Sequence, residues 1–377
     1  MKIAYFVHDL TDPAVARRVR MLQAGGADVL LLGFRRTESA PDRLEGAEVV
    51  DLGRTYDGQL GQRARVTVRS ALTAGRLRGL LFGTDVVLAR TLEMLLVAHT
   101  ARRLCDLRAP VVYECLDIHR LMLADAAKGR ALRALERGLM RRSRLLIVSS
   151  PAFLDSYFRP RQGVGDAIRL PTLLVENKLL ELDQPPSQAP RTATRGRPWR
   201  VGWLGAIRCR RSLDILTDLA TRRPDLLEVR LHGRPAYSEF ADFDAQVAAA
   251  PNVSFGGAYA PADLPRLYGE TDFSWAVDFM EEGLNSAWLL PNRIYESSRF
   301  GVVPIALKSV ETGRFLEARS FGVTLDGPED LEGFLETMRP RAYEQLTARQ
   351  ARVPLDVFIA DRAACRTLVQ TLGALEP

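Results

Sequence analysis

Short, continuous runs of Val, Ile and Leu recur along this 377-residue chain, and segments with the apolar spacing of helices separate them. Strands are expected over 2–7, 28–33, 48–52, 85–89, 111–114, 145–149 and 167–170. A second set is expected over 200–204, 228–232, 253–255, 272–277, 302–306 and 322–325. A strand that is apolar at every position must be covered on both faces, which is the condition of a parallel sheet flanked by helices. The first helix should begin at Asp12-Pro13, a cap followed by a proline, and end at Gly25-Gly26. Strand–helix–strand order of this kind crosses over in the right-handed sense.

The chain is too long for one ordinary core. Residues 183–198, rich in Pro, Ser, Thr and Arg and without apolar periodicity, separate the two strand sets and read as a linker. The expected organisation is a first domain over 1–182, the linker over 183–198, a second domain over 199–340 and closing helices over 341–377. The fold class is α/β, with two Rossmann-like doubly wound domains. Such domains take ligands at the carboxyl ends of their strands.

Bulk chemistry narrows the classes. With 47% hydrophobic and 26% charged residues, a globular rather than a disordered protein is expected. No apolar run reaches the length of a membrane span. The N-terminal MKIAYFVHDL reads as a first strand and not as a signal peptide, so a cytoplasmic location is expected. Cys105, Cys115, Cys209 and Cys365 form no Cys-x-x-Cys pair, and the four His residues form no His-x-x-x-His pair. Reduced thiols and no metal site are expected. The net charge of +6 points to an anionic partner. No local nucleic-acid motif accompanies it, so nucleic acid is not expected as a partner.

The segment Leu289–Pro304 carries the most chemistry. It reads as a helix that begins at Pro291, ends near Gly301 and runs into a buried strand. Its start, at Asn292 and Arg293, would offer free N–H groups to an anion. Glu296, just over one turn beyond Asn292, can accept hydrogen bonds from two neighbouring hydroxyls. A phosphate near the helix start and a vicinal diol near the carboxylate together describe a nucleotide sugar. Upstream, Gly205, Arg208 and Arg211 follow a strand and precede a helix. Gly205 admits close backbone approach, and the two guanidiniums suit a pyrophosphate. The same residues also fit a surface basic turn, and Arg293 also fits an ion pair. Asp242 and Asp244 match an Asp-x-Asp metal motif but read as solvated acids of a helix.

An ordered series of pieces carries a family resemblance. They are KIAYFVHD, VVYECLDIH (111–119), LLIVSS (145–150) and LPTLLVENK (170–178). VGWLGAIRCRRSLDIL (201–216), VSFGGAYAPADLPRLY (253–268) and LLPNRIYESSRFGVVPIA (289–306) follow. In order and spacing the chain resembles glycosyltransferases of the GT-B type, families 1 and 4, and especially bacterial exopolysaccharide enzymes of the succinoglycan-biosynthesis kind. The resemblance implies two domains facing each other across a cleft, acceptor on the first and nucleotide on the second, with the last helices returning to the first domain. It implies hexose transfer from a nucleotide diphosphate sugar, UDP-linked, to a glycan acceptor carried on a polyprenyl diphosphate. No cofactor beyond that co-substrate is implied, and no metal. The alternatives are a nucleotide-sugar epimerase on the same fold and a non-catalytic nucleotide-sugar-binding partner of an assembly.

The resemblance also distributes roles. Tyr259 stands where such enzymes contact the base. Many family 4 members carry Glu-x7-Glu; Glu296 matches the second Glu, but Trp288 occupies the place of the first. Asn285 and Ser286 are the expected substitutes at the donor sugar. Asp117 or His119, after the strand 111–114, would deprotonate the acceptor hydroxyl in an inverting transfer or orient the donor sugar in a retaining one, with Asp9 as the rival base; any of the three could instead cap a helix. Two basic stretches, Arg63–Phe82 and Lys128–Arg144, read either as helices resting on an anionic inner membrane surface or as solvated faces.

Overall fold

The computed structural model describes residues 1–56, 58–183 and 196–376. Most of the expected linker, 184–195, therefore lies outside the described residues. The chain forms two compact units, Met1–Glu176 together with Ala360–Pro377, and Asn177–Ile359.

The first unit is built on eight strands: β1 (Lys2–Val7), β2 (Asp28–Arg35), β3 (Arg43–Leu44), β4 (Ala47–Arg54), β5 (Val86–Arg90), β6 (Val111–Cys115), β7 (Leu145–Val148) and β8 (Thr172–Leu174). Their order in the sheet is β3-β4-β2-β1-β5-β6-β7-β8. The pairs are parallel except the small hairpin β3–β4. That hairpin turns on Glu45 and Gly46, both with positive φ, as a two-residue turn between twisted strands requires. β1, β5 and β6 are buried along almost their whole length, which is why the sequence reads as continuous apolar runs there.

The expected strand over 167–170 is displaced. Ile168 N–H bonds back to the Gly163 carbonyl, closing a turn, and Pro171 brings no N–H. Pairing with β7 begins only at Thr172. The first helix, Pro13–Ala24, starts where expected: Asp12 Oδ1 accepts from the Ala14 N–H at 2.8 Å. The last helix, Arg362–Gly373, packs against it. A Cβ on Gly25 would stand 2.4 Å from the Cys365 carbonyl, so only glycine permits that approach.

In the second unit, β9 (Leu179–Leu180) precedes a six-stranded parallel sheet. Its members are β10 (Trp199–Ile207), β11 (Leu227–Pro235), β12 (Val253–Phe255), β13 (Phe273–Trp275), β14 (Val303–Leu307) and β15 (Val323–Leu325), in the order β12-β11-β10-β13-β14-β15. Trp199, Trp203 and Trp275 lie in its core with Leu213, Leu216, Phe273 and Ile305. Truncating one such Trp to Ala would cost about 3–5 kcal/mol. The helix Pro340–Gln350 is tied into this unit: Tyr343 Oη donates to the Asp272 carbonyl at 3.0 Å, and Gln350 Nε2 to the Val302 carbonyl at 3.0 Å.

Each sheet has one place where the strand order reverses. In the first unit it lies at the carboxyl ends of β1 and β5, and in the second at those of β10 and β13. Crevices form at such points because successive crossovers leave for opposite faces.

Candidate functional site

In the second unit, β10 runs through Gly205 to Ile207 and delivers Arg208 and Arg211 at the reversal. Gly205 has φ +107, and its neighbour Gly233 has φ +139. A Cβ on Gly233 would meet the Gly205 carbonyl at 1.8 Å, so this pair of glycines sets how the strand ends turn. Arg208 Nη2 lies 3.2 Å from Asp278 Oδ2, just beyond β13. Arg211 Nη1 lies 2.7 Å from Glu282 Oε2, and its guanidinium stacks on Phe279 at 4.3 Å.

The helix Asn292–Arg299 starts one residue later than expected: Pro291 occupies the capping position instead of the first turn and supplies no side-chain acceptor. Asn292 is exposed. Arg293 reaches back into the same reversal, donating from Nη1 to the Trp275 carbonyl at 3.2 Å, with its guanidinium 5.9 Å from the Trp203 ring. Burial lowers its pKa, Asp278 opposes that shift, and the nearby Arg208 adds to it. Two cations thus share one carboxylate at the end of the sheet. An anion placed there would relieve their repulsion.

Glu296 lies one turn along that helix, and Tyr268 Oη donates to its Oε2 at 3.3 Å. Burial raises the pKa of Tyr259, and Glu296 raises it further. The Tyr259 hydroxyl stands 3.9 Å from where a Cβ on Gly205 would be. Gly205, Arg208, Tyr259, Arg293 and Glu296 are therefore neighbours. Asn285 and Ser286 are buried in the short helix Asn285–Trp288, where Ser286 Oγ accepts from the Glu281 N–H at 2.9 Å.

In the first unit, His8 and Asp9 follow directly on β1. Both oxygens of Asp9 are engaged, Oδ2 with Arg36 Nε at 2.9 Å and Oδ1 with the Thr11 N–H and hydroxyl at 2.9 and 2.7 Å. After β6, Asp117 is exposed. His119 Nδ1 accepts from the Leu121 N–H at 3.2 Å and so caps the helix Arg120–Leu123. With Nδ1 as acceptor, a neutral His119 carries its proton on Nε2 and offers a donor there.

Residues 12–170 match the model of the glycosyl transferase 4-like domain. The succinoglycan biosynthesis protein ExoL of Rhizobium meliloti is 46% identical over 385 residues, spanning 100% of this chain and 94% of that protein. The chain belongs to this glycosyltransferase family. Among solved structures, HepE of Anabaena in complex with UDP superposes with a TM-score of 0.70 at 17% identity, over 100% of both chains. Sucrose-phosphate synthase of Thermosynechococcus elongatus gives 0.72 at 12% identity, over 99% of this chain and 98% of that one. These likenesses establish the GT-B fold.

Two features of the glycosyltransferase escaped the sequence reading. Asp278 has no motif around it; it matters because β13 ends beside β10. His8 sits at the first unit's reversal with Nδ1 buried and without a partner among the described residues. Burial lowers its pKa, Asp12 opposes this, and Arg90 reinforces it. Its position at the end of an apolar strand was the available signal. In the same unit, buried Glu114 binds Arg18 at 2.6 Å and Arg90 at 2.7 Å, and accepts from the Tyr5 hydroxyl.

Asp242 caps the helix Phe243–Ala249 by accepting from the Ala245 N–H, one residue ahead of the helix in which it was expected. Among the described residues, no group of three or more His, Cys, Asp and Glu side chains is arranged to hold a metal. The four cysteines are free and buried. No described helix is long and apolar enough to cross a membrane.

Proposed function

We propose that this glycosyltransferase moves a hexose from a UDP-sugar to a hydroxyl of a lipid-linked oligosaccharide in exopolysaccharide or capsule synthesis. The observation that carries the donor half is the convergence of Arg208, Arg293, Tyr259 and Glu296 on Gly205 where the strand order reverses. In this reading Arg208, Arg211 and Arg293 stabilise the leaving diphosphate, and Glu296 accepts from the ribose hydroxyls. Tyr259 faces the base, Asn285 and Ser286 flank the sugar, and no metal takes part. Solved HepE with UDP-glucose and the name of ExoL support the choice of donor and pathway.

Asp117 is the best-placed acceptor base in the first unit. It is exposed at the end of β6, whereas Asp9 is spent on Arg36 and Thr11, and His119 presents a donor. The membrane-facing acceptor accords with the basic stretches of the first unit.

A thermal-shift panel of UDP-, GDP- and dTDP-sugars tests the donor, because a ligand selective for the folded chain raises its melting point. The shift should be largest with a UDP-sugar and should vanish in Glu296→Ala. A full shift in that variant would remove the ribose assignment. Release of UDP only when a glycan acceptor is present distinguishes transfer from epimerisation.

A further inference from the structure

The helix Ala127–Met140 of the first unit carries Arg130, Arg133 and Arg137 at intervals of three and four, which puts them on one face. Its other side is locked into the core. Glu136 is buried and accepts from the hydroxyls of Tyr113 at 2.8 Å and Tyr157 at 2.6 Å. Arg161, from the helical segment Leu154–Gln162, joins the three arginines. With Asp125 they line a surface cavity of about 420 Å³.

Each guanidinium is braced by backbone carbonyls. Arg133 Nη1 donates to Met122 at 2.8 Å and Ala124 at 2.7 Å, and Arg161 Nη1 to Leu123 at 2.9 Å. Arg130 Nη1 donates to Asp125 at 2.6 Å, and Arg137 Nη2 to Arg161 at 2.7 Å. These contacts occupy one nitrogen of each fork. The one carboxylate in the cavity, Asp125, is 85% exposed and stands 3.4 Å from both Arg133 and Arg161. That is long for a charge-assisted hydrogen bond. The four cations of the cavity thus have one loosely held carboxylate among its lining residues, in contact with only two of them, and their forks are already oriented.

We infer that this cavity is an anion site that takes a phosphate or diphosphate group. Planar forks match phosphate oxygens, and an anion bearing two or more charges offsets the excess that Asp125 leaves. The inference rests on the proposed acceptor only for the molecule that bears the group, which is either a soluble phosphate compound or a lipid phosphate.

Calorimetry of the full chain with inorganic pyrophosphate, in excess UDP so that the second unit's arginines are occupied, reads the site directly. Arg130→Gln with Arg161→Gln should weaken binding about tenfold or more, since each hydrogen bond to a charged group is substantial. Asp125→Asn keeps every arginine and should tighten binding, so the test survives if the double variant folds poorly. Equal pyrophosphate affinity in all three proteins overturns the inference, as does failure of the wild type to bind either pyrophosphate or phosphate-bearing vesicles. Cosedimentation with phosphatidylcholine vesicles, with and without polyprenyl phosphate, separates the sources. Phosphate-dependent vesicle binding lost in the double variant assigns a lipid group, and pyrophosphate binding alone assigns a soluble one. The UDP-sugar thermal shift should be unchanged in these variants, which keeps failure here distinct from failure of the donor reading.

Discussion

Arg208 Nη2 and Asp278 Oδ2 stand 3.2 Å apart where β10 and β13 part, so on the proposed diphosphate assignment an incoming anion competes with this carboxylate for Arg208. Arg208→Gln should weaken UDP binding by roughly tenfold to a hundredfold, from about 1.5–3 kcal/mol per hydrogen bond to a charged group. Asp278→Asn should strengthen it. Titration calorimetry with UDP checks both, and an Arg208→Gln affinity equal to wild type would place the diphosphate elsewhere.

The Tyr268 hydroxyl orients Glu296 from a fully buried position. If Glu296 grips the ribose diol, wild type should prefer UDP to 2′-deoxy-UDP by about tenfold, the scale of one charged hydrogen bond. Glu296→Ala should bind the two equally. Tyr268→Phe should keep a reduced preference. Competition binding with both nucleotides measures this.

Burial alone would raise the pKa of Glu114, but Arg90 and Arg18 hold it down to about 2, below its ordinary 4.5. A depressed carboxylate contributes its full stability above the unfolded pKa and loses it as the pH falls. The loss should therefore run from about pH 4.5 towards pH 2. Glu114→Gln should flatten that part of the curve. It should also cost about 3–5 kcal/mol at neutral pH, because two buried arginines lose their counter-ion. Urea unfolding across this pH range checks both.

Asp117→Asn should lower kcat by about 10²–10⁴-fold, the range for a general base, with the UDP-sugar thermal shift intact. His119→Ala should instead cost about 1 kcal/mol of stability through loss of the cap on Arg120–Leu123. Steady-state kinetics with a glycan acceptor, paired with melting curves, separates the two outcomes.

Much of the fold was legible in the sequence because parallel strands buried on both faces show as unbroken Val/Ile/Leu runs. Caps were legible for the same local reason, as at Asp12-Pro13. The strand at Thr172–Leu174 was misplaced by a few residues, because Ala167, Ile168 and Leu170 give 167–170 the apolar content of a strand while Ile168 N–H closes a turn onto Gly163, and periodicity does not separate the two. The hairpin strand β3 was missed because its two residues are too few to show a pattern, whereas its partner β4 was expected over 48–52. Arg208, Arg293 and Glu296 were legible as donor candidates from local motifs. Asp278 and His8 were not, since what singles them out is the strand that ends beside them.

Local spacing alone thus determined that this chain alternates strand and helix, and which arginines and which glutamate precede or open a helix. Only the tertiary structure decided that β10 ends next to β13 and β1 next to β5. It alone set Arg208 against Asp278. Those outcomes depend on strand order, which joins residues some seventy positions apart, and no pattern confined to a single turn or strand contains it.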